Sequence, residues 1–93
     1  MDVMDAATKR RRADMRARVK ADLARRGIGN PDLKGVSGDT DFEAGGGEAM
    51  VIHGWTLTVH MTRGRELTYK QRNVDGAPLY CDGAPVPDFK PEN

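Results

Sequence analysis

The residues best suited to chemistry in this sequence are cations. Lys9, Arg10, Arg11, Arg12, Arg16, Arg18, Lys20, Arg25 and Arg26 all fall within the first 26 residues. Guanidinium and ammonium groups at this density neutralise phosphates or carboxylates, and Arg-rich helices bind nucleic-acid backbones through that sequence-independent attraction. Four Asp accompany them, so residues 1–26 carry a net +5. Residues 27–93 carry six Lys/Arg against ten Asp/Glu, a net of −4, and the whole chain is +1. A basic segment joined to an acidic body implies a negatively charged partner. Nucleic acid, an acidic protein surface and the acidic half of a second copy all satisfy it. Arg63, Arg65, Lys70 and Arg72 form a second, smaller basic set further along.

Other chemistries find less support. His53, His60 and Cys81 are the only strong nitrogen or sulfur ligands, and no CxxC, HxH or HExxH spacing occurs. His53 and His60 point to opposite faces of a regular strand, which argues against a shared metal and leaves His53 at the edge of an apolar face. Cys81 lies beside Asp82 with no neighbouring cation to lower its pKa, so it reads as a small buried residue. Asp39, Asp41 and Glu43 lack the pattern of a calcium loop. Gly45-Gly46-Gly47 is not followed by the Lys-Ser/Thr of a phosphate-cradling loop. No catalytic residue, metal or cofactor is expected, and the chain reads as a binding protein.

These residues must be positioned by few elements. Ala6 to Arg26 contain no Gly or Pro, which predicts one helix with Asp5 as N-cap and Gly27 closing it in a left-handed conformation. Met4, Met15, Val19 and Leu23 make a narrow apolar stripe. Lys9, Arg16 and Lys20 flank it on one side, and Arg11, Arg18 and Arg25 on the other. Asp14–Arg18 and Arg18–Asp22 have the spacing of helix ion pairs. Residues 27–48 hold seven glycines and several acids, and predict a flexible connector with one helical turn over 30–35, capped by Asn30 with Pro31 at its first position.

From Ala49 the apolar period becomes two, marking strands. A Thr62-Arg63-Gly64 loop with Gly64 left-handed pairs Val59 with Leu67 and Leu57 with Tyr69, keeping apolar residues on one face. A Val74-Asp75-Gly76 loop then pairs Tyr69 with Cys81 and buries Leu79 and Cys81. Pro78 places this third strand at an edge. Thr56, Thr58, His60, Thr68, Lys70 and Arg72 face the other way.

The expected architecture is α+β: a basic helix over 1–26, a Gly-rich acidic connector over 27–48, a three-stranded antiparallel meander over 49–82, and an extended Pro-rich tail over 83–93. Together they form one small domain. A single cysteine excludes an internal disulfide, and with 38% apolar residues the core is thin, which favours a partner or a homo-oligomer. Met1 to Asp5 lack the apolar core of a secretory signal, and no stretch of about 18 apolar residues could span a membrane, so the expected location is cytoplasmic. The leading expectation is nucleic-acid backbone contact by the helix, with a salt slope near about −4 to −5. The alternative is a structural or inhibitory protein-interaction module, such as an assembly component or virus-encoded effector, anchored by Trp55, Tyr80 and Phe89 if exposed.

Overall fold

The computed structural model describes residues 6–44 and 50–87. Helix α1 runs Ala6–Arg25. Its C-terminus closes as a Schellman motif: the Ile28 N–H donates to the Leu23 carbonyl at 2.9 Å and the Gly27 N–H to the Ala24 carbonyl at 3.0 Å. This geometry needs the positive φ of 75° that Gly27 adopts. Ile28 then packs against the core. Met4 and Asp5 lie outside the described residues.

Five strands follow: β1 (Leu33–Ala44), β2 (Met50–Met61), β3 (Glu66–Arg72), β4 (Tyr80–Cys81) and β5 (Ala84–Pro85). They form one antiparallel sheet in chain order, β1-β2-β3-β4-β5. The α+β class and the meander are as expected. Strand count and connector are not.

The first correction concerns the connector. After a short 3-10 turn at Asn30–Asp32, capped by Gly29 rather than Asn30, the chain enters a twelve-residue strand paired along β2. The residues of β1 on the inner side, Val36, Gly38 and Thr40, stand opposite Val59, Leu57 and Trp55. α1 leaves much of them uncovered; Val36 is 53% exposed. A strand whose inner face is only partly covered needs no apolar alternation, and this is why it reads as a polar loop. Residues 45–48, also assigned to the connector, lie outside the described residues.

The second correction is at the other edge. Asp82 and Gly83 both have positive φ, 50° and 84°, making a two-residue hairpin turn of type I′ that brings Ala84 and Pro85 back against Cys81 and Tyr80. β4 is therefore interior, and Pro78 merely delays its start. The tail from Asp88, with Phe89, is outside the described residues.

The expected registers hold. Val59 faces Leu67, Leu57 faces Tyr69, and Tyr69 faces Cys81. The Met61 N–H donates to the Arg65 carbonyl at 2.8 Å around a left-handed Gly64. In β2 the pairing passes from Asp41–Gly54 to Phe42–Ile52, making His53 the extra residue of a bulge. The bulge shifts the alternation by one, so Ile52 is buried and His53 exposed, correcting its place on the apolar face. Met15, Val19 and Leu23 of α1 close over Ile52, Trp55, Val59, Leu67, Tyr69, Leu79 and Cys81. The helix is thus part of the core, seated on one face of the sheet. The other face is open to solvent.

Candidate functional site

Packing of α1 divides its cations into two groups. On the flank toward β3 and the 74–77 turn, Arg11 and Arg18 are engaged by the fold, while Arg10 beside them is exposed. Arg11 donates from Nε to Asp75 Oδ1 at 2.9 Å and from Nη1 to Asn73 Oδ1 at 3.2 Å. Arg18 Nη1 donates to the Ala77 carbonyl at 3.1 Å. Arg10 lies close enough to add to the field of Arg11, and the Arg11 hydrogen bond is the main reason the Asp75 carboxyl sits below its usual pKa.

At the C-terminal end, Arg25 and Arg26 converge on Asp22. Arg25 donates through Nε and Nη2 to Oδ1 at 3.0 and 2.6 Å, and Arg26 Nε donates to Oδ2 at 2.7 Å. The Tyr69 hydroxyl donates to Oδ2 at 2.7 Å. Asp22 and Tyr69 are fully buried. Burial raises the Asp22 pKa, but the bonds from Tyr69, Arg26 and Arg25 outweigh it and hold the carboxyl below its ordinary value. Tyr69 moves the other way, raised first by burial and then by its bond to Asp22. This polar cluster sits between helix and sheet and ties one to the other.

The opposite flank is open. Arg12, Arg16 and Lys20 make no hydrogen bond or ion pair among the described residues, and Arg16 and Lys20 are exposed. Lys9 lies on the same side of the helix and is exposed as well. The exposed ridge beside them carries Ala13, Ala17 and Ala24, whose small side chains allow a bulky polyanion to approach closely. From Lys9 to Lys20 the cations extend over roughly 16 Å at about 1.5 Å per residue.

Between this flank and β1 lies a groove of about 220 Å³. Arg12 and Arg16 form one rim, Gly38, Asp39 and Thr40 the other, and Met15, Trp55 and Leu57 line it with them. Trp55 is only 4% exposed, and its Nε1–H is buried with no acceptor among the described residues. Burial also removes Trp55 from the set of exposed anchors; Tyr80, at 41% exposure, remains one.

The second basic set does not converge on α1's open flank. Arg63 and Arg65 sit at the β2–β3 hairpin tip, beside Gly27 and Ile28 at the end of α1. Lys70 and Arg72 lie on β3, exposed, with Lys70 opposite Tyr80 on the uncovered side of the sheet. That side also carries a chain absent from the sequence-based expectations: Ser37 Oγ lies 3.0 Å from His60 Nε2, and His60 Nδ1 lies 3.2 Å from Glu66 Oε1. The order resembles an acyl-transfer triad, but it stands on an exposed sheet face where water is not excluded, and it is read as a cross-strand polar ladder. Its signal in the sequence was the register itself, which places position 60 opposite 66. Among the described residues no three His, Cys, Asp or Glu side chains are grouped to hold a metal. No helix there is long and apolar enough to cross a membrane. Cys81 is buried, and burial is the main cause of its raised thiol pKa.

The groove was not foreseen, because it depends on β1 being a strand. No protein-family model matches the chain, no curated protein matches it, and no solved structure matches it.

Proposed function

We propose that this chain is a non-enzymatic binding protein whose open cationic flank on α1 (Arg12, Arg16 and Lys20) takes the phosphate backbone of nucleic acid. The observation carrying this reading is the division of the helix cations. Arg11, Arg18, Arg25 and Arg26 have partners within the fold, whereas Arg12, Arg16 and Lys20 are left with none among the described residues. A fold that engages Arg11 and Arg18 on one flank and leaves Arg12, Arg16 and Lys20 on the other favours one-sided docking on a polyanion. The acidic β1 residues Asp39 and Asp41 limit how far a duplex can extend beyond the helix.

With three open cations on this flank instead of the nine in the sequence, the expected dependence on salt is shallower. The slope of log K against log salt is about −2.5 to −3 on duplex DNA and about −2 on single strands. Anisotropy titrations from about 50 to 200 mM salt test it. Micromolar or tighter binding with such a slope supports the proposal, and absence of binding at the lowest salt refutes it. A protein partner is the second reading, supported by the long edge of β1, which has one sheet neighbour, β2, among the described residues. An added strand could pair there.

A further inference from the structure

We infer that the groove between α1 and β1 receives an unstacked base of single-stranded nucleic acid, so that the protein prefers single strands over duplex. This rests on the nucleic-acid reading above and specifies which form the same site takes.

The argument starts from the groove's size and chemistry. At about 220 Å³ it accepts one planar group, not a double helix. Leu57, half-buried, supplies apolar surface above the buried Met15, and Gly38, lacking a side chain, leaves space between the strand and the helix. Trp55 lines the groove, and its Nε1–H is buried with no acceptor among the described residues; a small shift that uncovers it would let a keto oxygen or ring nitrogen of a base accept from it. Arg12 and Arg16, one helical turn apart, border the same cavity and complement the phosphates flanking an inserted base. In duplex DNA the bases are stacked and paired, and only the backbone reaches the flank. An unpaired strand can engage both flank and groove.

A second copy of the chain fits less well. Pairing β1 with β1 while keeping both helices on the same side would bring two Arg12/Arg16 pairs over one trough, and like charges would oppose it.

The test uses the full chain and its single tryptophan, Trp55, which lines the groove. Oligo(dT) of about twelve nucleotides and a duplex of equal length are titrated, following both anisotropy and intrinsic fluorescence. Single strands are expected to bind about fivefold or more tightly and to change Trp55 emission, while duplex binds without changing it. Gly38→Leu should fill the groove. A Cβ at Gly38 meets only Leu57 Cδ1, at 3.6 Å, so the variant is expected to fold, as an unchanged thermal melt would verify. It should lose the emission change and the preference, yet keep salt-dependent binding through the flank. Equal affinity for both forms with no Trp55 response, or a Gly38→Leu variant that still discriminates, overturns the inference. Either result leaves backbone binding by the flank standing and the groove to a peptide strand. Binding to neither form defeats the underlying reading as well.

Discussion

Replacing Asp22 tests the link between helix and sheet. The side chain is fully buried, and it accepts four hydrogen bonds, one from the Tyr69 hydroxyl and three from Arg25 and Arg26. Hydrogen bonds to charged groups contribute about 1.5–3 kcal/mol each when buried. The two arginine side chains are each 37% exposed, so water screens their share and roughly 0.5 kcal/mol per arginine is a suitable discount. Asp22→Asn keeps the shape and an acceptor for Tyr69 but loses the charge, and should cost about 2 kcal/mol. Asp22→Ala also leaves the Tyr69 hydroxyl buried without a partner and should cost about 3 kcal/mol. A chain of this length has roughly 5–14 kcal/mol in total, so either change is large.

Urea unfolding at pH 7 and at pH 3 measures it. Because the folded carboxyl is held below its ordinary value, its contribution is present above the unfolded pKa of about 3.9 and is lost as pH falls through the folded value. The gap between wild type and Asp22→Asn should therefore narrow at the acid end. A cost below about 0.5 kcal/mol at pH 7, or a gap independent of pH, would refute the assigned role of the cluster.

Further predictions follow from the same packing. Tyr69 resists ionisation in the fold, so wild-type stability should fall as pH rises above about 10, where the unfolded phenol ionises. Tyr69→Phe should show a smaller alkaline decline, the remainder including that of the buried Cys81 thiol, and melts across the range would show it. At Gly54 a Cβ would lie 2.6 Å from the Gln71 carbonyl oxygen and 3.1 Å from Arg72 Cα. Gly54→Ala should therefore destabilise by about 1–3 kcal/mol in urea, and a neutral result would contradict the close β2–β3 approach. Cys81, 4% exposed with its thiol pKa raised by burial, should react with a thiol reagent only as fast as the chain unfolds; immediate labelling would contradict its burial.

The parts legible in the sequence are those where local chemistry and burial agree. Gly64 and Gly76 fix turns, the Trp55–Val59 alternation fixes a face, and together they determine the register down to Cys81. β1 was illegible because an edge strand beyond the helix needs no apolar pattern, and its glycines and acids imitate a loop. The Asp82-Gly83 turn did carry a signal, a dipeptide suited to a type I′ hairpin, but the prolines after it suggested an extended tail. Asp22 looked like a helix-surface partner for Arg18. Its position beside Met15 and Val19 on the helical wheel places it at the sheet instead, with Arg25 and Arg26 within reach at three and four residues. The cations were visible from the start; which of them the fold engages follows only from the strands that approach α1.

The most direct test of the central claim divides the salt dependence between the two flanks. In anisotropy titrations, Arg12→Gln with Arg16→Gln should reduce the slope of log K against log salt by about 1.5–2 without altering the melt. Arg11→Gln with Arg18→Gln should leave the slope near that of wild type while lowering stability, because those residues hold Asp75, Asn73 and the Ala77 carbonyl. Equal losses of slope from both pairs, or an unchanged slope in the Arg12/Arg16 variant, would contradict the division of the helix into an engaged flank and an open one.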